Sequence, residues 1–104
     1  MSLVPEFFPD VEGFHWDDGN SDKNWVRHKV TQVEAEQAFL NRPLLVARTP
    51  REGIEETRYF ALGKTDVGKH LTIVFTIRDQ FIRVISARAM SRAERSAYAP
   101  AEKS

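Results

Sequence analysis

The run HLTIVFTIRDQFIRVISAR, residues 70 to 88, decides the fold. Its first half, LTIVFTI, is apolar on both alternating sets, the pattern of an inner strand covered at least in part on each side. The Asp79-Gln80 pair then turns the chain back into a second strand from Gln80 to Arg88. Upstream, Arg58 to Lys64 reads as a third strand, joined to the first through Asp66 to Lys69, so the three form an antiparallel meander. Within the last strand, Arg83 interrupts Ile82, Val84 and Ile85, and Arg88 closes it. A guanidinium stays protonated at any pH a protein survives, so each has to find partners or reach water. In a regular strand Phe81, Arg83, Ile85 and Ala87 share one face, and Ile82, Val84, Ser86 and Arg88 the other. Only a bulge would bring the two arginines together.

Outward from this meander, residues 1 to 13 read as an irregular arm and GFHWD as a short strand with Phe14 and Trp16 on one face and His15 on the solvent side. Asp17 to Asp22 supplies turn and helix-start chemistry for a first helix of about two turns containing Trp25 and His28. Thr31 and Glu34 make a capping box for a second helix through Ala35, Ala38 and Phe39, stopped by Pro43. PLLVART is a strand candidate, and Pro50 to Thr57 an acidic loop. Ser91 and Glu94 make a second capping box, opening a C-terminal helix from Arg92 to about Tyr98, before Pro100. The expectation is one α+β domain: a small antiparallel sheet packed by two N-terminal helices, with a short C-terminal helix. Residues 1 to 13 form an arm, 14 to 98 the domain, and 99 to 104 a flexible tail.

The chain has 104 residues, enough for one hydrophobic core, and no net charge. The charge is unevenly placed: residues 1 to 50 carry −3 and residues 51 to 104 carry +3. Five of the ten arginines, Arg78, Arg83, Arg88, Arg92 and Arg95, fall within eighteen residues, a local cluster able to track phosphates. The alternative for each is a plain ion pair with Glu94, Asp79 or the Glu55-Glu56 pair. No apolar run is long enough for a membrane span, and no signal-peptide pattern is present, so a cytoplasmic protein without membrane contact is expected.

The chain has no cysteine, and its three histidines lack metal-ligand spacing, so neither a metal nor a cofactor is expected. The phosphate-cradling glycine loop, nucleophile elbow and dinucleotide fingerprint are all missing, which removes nucleotide-dependent enzymes. A basic site without metal suits the binding or breaking of a phosphodiester. RNA brings its own 2′-hydroxyl nucleophile, leaving the protein to orient the strand, neutralise the phosphate and move protons. Arg58, Arg83, Arg88, Arg92 and Arg95, with Tyr98 one turn beyond, are candidates to converge on one groove. His28, between Arg27 and Lys29, is the histidine in a basic setting; His15 and His70 are read as non-functional.

FHWDDGNSDKNWVRHKV, RYFALG, VFTIRDQFIRVISAR and AMSRAERSAY, in this order and spacing, resemble the BrnT family of bacterial type II toxin–antitoxin toxins over Phe14 to Tyr98. The resemblance implies a RelE-like fold and a ribonuclease that inhibits translation. It also implies a small BrnA-like antitoxin with a ribbon-helix-helix part, and operator DNA bound only through the toxin–antitoxin complex. Carried onto this chain, His28, Arg58, Arg83, Arg88, Arg95 and Tyr98 match the family's recurrent polar positions, without the family deciding which are catalytic; His28, Arg58, Arg83 and Arg88 are read as catalytic, and Arg78, Arg92, Arg95 and Tyr98 as RNA-binding. The family often reads Lys-His-Gly where this chain has Arg27-His28-Lys29, which removes the residue best suited to a left-handed helix end. The rival reading is a noncatalytic module whose basic face docks RNA or a partner protein.

Overall fold

The computed structural model describes residues 4–5, 11–17, 29–48 and 57–103. The elements are β1 (Val4–Pro5), β2 (Gly13–Phe14), α1 (Gln32–Leu40), β3 (Leu45–Arg48), β4 (Tyr59–Lys64), β5 (His70–Arg78), β6 (Phe81–Ala89) and α2 (Arg92–Glu102). The first expected helix, around Trp25 and His28, lies outside the described residues, as does the loop from Pro50 to Glu56.

The sheet of described strands has the order β1-β3-β4-β5-β6-β2. Strands β4, β5 and β6 form the expected meander. Asp79 and Gln80 make its second turn with φ of 51° and 70°, the paired left-handed geometry that matches strand twist. The sheet is mixed, which corrects the purely antiparallel expectation. β2 runs parallel to β6, pairing Gly13 with Phe81 and Phe14 with Ile82. Parallel neighbours need a long connection, and here α1 and the three strands β3 to β5 lie between the two in sequence. The arm expected at residues 1 to 13 accordingly contributes strand residues to both sheet edges.

α1 starts where the capping box places it: Thr31 Oγ1 accepts from the Glu34 amide at 3.1 Å and the Glu34 carboxylate accepts from the Thr31 amide at 2.9 Å. Its Ala35, Ala38 and Phe39 pack against Leu71, Ile73 and Phe75 of β5 and Val84 and Ala87 of β6. Phe39 meets Phe75 edge-on at 4.9 Å, and burying a ring of this size contributes about 1.5–3 kcal/mol. Trp16 packs at the border of this core and its Nε1–H donates to Glu36 at 2.7 Å. The helix sits close to β4: a Cβ added at Gly63 would lie 2.6 Å from the Ala38 carbonyl oxygen. Gly63→Ala is therefore expected to destabilise the domain by about 1–3 kcal/mol, the cost of overpacking against backbone, as read by urea unfolding.

Lys29 sits just before α1 with φ 59°, in the left-handed region that glycine adopts without strain. Lysine costs about 1–2 kcal/mol there, part of which glycine returns as unfolded-chain entropy. Lys29→Gly should raise unfolding stability by about 0.5–1 kcal/mol.

On the other face of the sheet, α2 packs Tyr98 against Leu45, Leu62 and Met90, with Phe60 and Ala101 alongside. The Tyr98 hydroxyl donates to the Pro43 carbonyl. The helix runs through Pro100 to Glu102, so residues 99 to 102 are not the flexible tail expected from the proline. Pro100 removes one amide, and the carbonyl it would have served belongs to Ser96, an exposed residue that can use water. Ala101 is packed against the second cluster, and Glu102 is held by His70 at 3.0 Å and Lys64 at 3.3 Å. Those contacts keep the last turn.

Candidate active site

Strands β5 and β6 do not pair in simple alternation. Val74 lies opposite Ser86 while the next residue, Phe75, lies opposite Val84, leaving Ile85 as an extra residue on β6. Residues opposed across an antiparallel pair share a face. Arg83 opposes Thr76 and Arg88 opposes Thr72, and both threonines belong to the β5 face turned away from α1. The bulge thus puts both arginines on one face, about 13 Å apart at ~3.3 Å per residue of β5. Arg58 immediately precedes β4, whose Tyr59 pairs with Phe75, and continuing that register places it across from Thr76 as well. Thr76 Oγ1 donates to the Thr57 carbonyl at 2.9 Å, tying this junction to β5.

Each β6 arginine holds a carboxylate with its fork. Arg83 donates to Asp17 through Nη1 at 2.7 Å and Nη2 at 3.1 Å, a bidentate pair in which the Arg83 side chain is 16% exposed and Asp17 44%. His15, the outward residue between Phe14 and Trp16, brings Nε2 to 3.8 Å from Asp17 Oδ2. Arg88 donates to Glu94 through Nη1 at 2.7 Å and Nη2 at 2.9 Å. The Glu94 carboxylate also accepts from the Ser91 amide at 2.8 Å and from Thr72 Oγ1 at 2.8 Å. The Arg88 hydrogen bonds, helped by the Ser91 amide and Thr72, outweigh burial and hold the Glu94 carboxyl well down, to about 2. Glu94 in turn raises the Arg88 guanidinium above its ordinary value.

A family model for "ribonuclease toxin, BrnT, of type II toxin–antitoxin system" matches residues 16–94, a span that takes in Asp17, both β6 arginines and Glu94. The chain belongs to the BrnT family of ribonuclease toxins. A crystal structure of the Brucella abortus ribonuclease toxin BrnT is similar at TM-score 0.56 and 19% identity, over 79% of this chain and all of that one. That likeness is one of fold. No curated protein matches the chain. As a BrnT-family toxin of a type II system, the chain has an antitoxin as its partner.

The structure divides the remaining candidate residues. Arg78 is exposed at the end of β5. Arg92 and Arg95 are exposed on α2 and line a groove with His70, whose ring meets that of Tyr98 edge-on at 5.6 Å. Tyr98, expected among the RNA-contacting groups, is 0% exposed; its ring fills the core beneath α2 and cannot stack on a base there. His28 lies outside the described residues. Among the described residues no group of three or more His, Asp or Glu side chains is placed to hold a metal. No helix among them is long and apolar enough to cross a membrane.

Asp17, with His15 3.8 Å from it, lies against Arg83 although their own local pattern reads only as a turn start and a solvent-side residue. A signal was present in Phe14-x-Trp16: two inward aromatics force His15 and Asp17 onto the opposite side. That this side faces Arg83 depends on β2 pairing with β6, which local sequence does not encode.

Proposed function

We propose that this toxin cleaves RNA without a metal ion, using Arg83 and Arg88 to hold and neutralise the reacting phosphate. The observation that carries the reading is the Ile85 bulge, which turns both guanidinium groups to one face of the sheet. In the reaction, the RNA 2′-oxygen bonds to the adjacent phosphorus as its proton leaves to a base, and the bond from phosphorus to the 5′-oxygen breaks as that oxygen is protonated. Arginine serves the charge that builds on the phosphoryl oxygens, and its high pKa makes it a poor proton carrier. His28 is assigned the proton transfer. Arg58 assists in charge neutralisation, and Arg78, Arg92 and Arg95 contact the strand beyond.

The two carboxylates differ in what they permit. Glu94 accepts from Ser91, Thr72 and both Arg88 amino groups and so stays in place, leaving Arg88 to act through its other N–H groups. Asp17 is 44% exposed and can give up the Arg83 fork to a phosphate, which presents the same planar pair of oxygens. RNA then competes with Asp17 for one arginine and adds to the other.

The occupied forks also support the rival reading, a noncatalytic basic face that docks RNA or a partner. The antitoxin is assigned a ribbon-helix-helix form that covers this same face, with operator DNA bound only through the toxin–antitoxin complex, in the cytoplasm. The deciding experiment is incubation of the purified free chain with single-stranded RNA in excess EDTA. Cleavage at an undiminished rate is expected. Intact RNA with EDTA but fragments with added divalent metal would refute metal independence, and intact RNA in both would favour the docking module.

A further inference from the structure

α2 has a second side that the reaction as described leaves nearly unused. Between its outer surface and the start of β5 lies a groove of about 420 Å³, with His70, Arg92, Arg95 and Ser96 around it and the apolar surfaces of Met90 and Ala99 within it. Arg92 and Arg95 stand one turn apart on the helix, are exposed, and have no carboxylate within ion-pair distance among the described residues. The one carboxylate lining the groove, Glu102, is already neutralised. Its Oε1 lies 3.0 Å from His70 Nε2 and its Oε2 3.3 Å from Lys64 Nζ, and these bonds, His70 first, hold it below the ordinary carboxylate range. The groove therefore presents two uncompensated guanidinium groups beside a small apolar surface.

We propose that this groove binds one nucleotide of the RNA strand flanking the cleaved phosphate, with Arg92 and Arg95 on the phosphate and Met90 and Ala99 against the ribose or base. The assignment rests on the ribonuclease reading of Arg83 and Arg88 given above. Guanidinium groups grip phosphate oxygens and also stack on bases, and an apolar floor within reach of them suits a nucleotide better than a bare anion. Continuity with the sheet supports the same occupant. Arg88 is paired to Glu94 in the first turn of α2, so Arg83, Arg88, Arg92 and Arg95 mark a basic path around the N-terminal end of that helix. A strand held at the first two reaches the groove by that path.

The test compares cleavage of a long single-stranded RNA with cleavage of a dinucleoside phosphate too short to fill the groove. Replacing both groove arginines (Arg92→Ala with Arg95→Ala) should raise KM for the long RNA about tenfold and reduce the dependence of log K on log salt by about 1.4, two contacts at ~0.7 each. The dinucleoside phosphate should be affected at most about twofold. Ser96→Phe, which fills the groove without changing charge, should raise KM for the long RNA in the same direction, with melting temperature as the control for folding. Equal effects on both substrates, or none on either, would overturn the assignment. So would lost neutralisation by the antitoxin with RNA cleavage intact, which would give the groove to a protein partner. Arg83→Ala keeps the two ideas separate: if it leaves both substrates cleaved, the active-site reading fails, and long-RNA binding by the groove variants then judges the groove alone.

Discussion

Arg83→Ala is expected to slow RNA cleavage about 10²–10³-fold while leaving the protein folded. Removing one preorganised donor from a site that stabilises developing oxyanion charge costs about 2.7–4 kcal/mol of barrier, which is that range in rate. The cost to stability is small because Asp17, which loses the guanidinium fork, is 44% exposed and can be hydrated. Arg83→Lys separates charge from shape. An ammonium keeps the positive charge but cannot hold two oxygens in a planar fork, so its rate should fall between wild type and alanine. Single-turnover cleavage with saturating enzyme is the measurement, read beside a thermal melt. A folded Arg83→Ala variant that cleaves at the wild-type rate would remove this residue from the mechanism. Arg88→Ala should lose activity on a similar scale and should also lose stability, since it deprives Glu94 of two of its hydrogen bonds.

Glu94→Ala is expected to produce the largest loss of stability, about 3 kcal/mol. The side chain closes the capping box of α2, binds Thr72 on β5 and holds Arg88 on β6, so one carboxylate joins a helix and two strands. Losing a cap costs about 1 kcal/mol, and hydrogen bonds to charged groups about 1.5–3 kcal/mol before solvent screening. Thr72, only 2% exposed, would lose the acceptor of its hydroxyl. At about 4–8 °C per kcal/mol for a domain near this size, the melting temperature should fall by roughly 12–24 °C. Glu94→Gln retains the shape of the capping box and should lose about half as much.

The same residue predicts an acid limb. Its carboxyl sits at about 2 in the folded protein, against an ordinary value of 4.5. The unfolded chain therefore takes up a proton before the folded one does. The stabilisation is complete above the ordinary value and disappears as pH falls from there through about 2. After screening, this amounts to on the order of 2 kcal/mol. Urea unfolding at neutral pH and at successively lower pH should show this slope in wild type and a shallower one in Glu94→Gln. Glu102, held low by its hydrogen bond to His70, leaves a residual limb in the variant. Equal slopes in the two proteins would place the acid sensitivity elsewhere.

Much of the scaffold is legible from local chemistry. The two capping boxes join residues three apart in the chain, and both form. The apolar run at Leu71 to Ile77 does lie inside the sheet, and Asp79-Gln80 does turn the hairpin. Arg83 and Arg88 stand out because a permanently charged group inside an apolar strand demands a partner, and for Arg88 that partner is Glu94, one of the carboxylates the sequence itself offers. Tyr98 shows the opposite case. Its spacing after Arg95 suits a shared surface, yet the turn of α2 against the sheet buries it beside Leu62 and Met90.

From its sequence alone, this protein is determined to be a strand meander with a capped helix on either side in chain order, carrying a dense set of arginines near its C-terminus. Those features follow from interactions between near neighbours and from side-chain periodicity. Only the tertiary structure decides that Arg83 and Arg88 share one face of the sheet. The extra residue at Ile85 exists only relative to the pairing of β6 with β5, and Asp17 reaches Arg83 only because β2 lies beside β6. Both depend on cross-strand register, a relation between distant segments that is settled when the sheet assembles around its core.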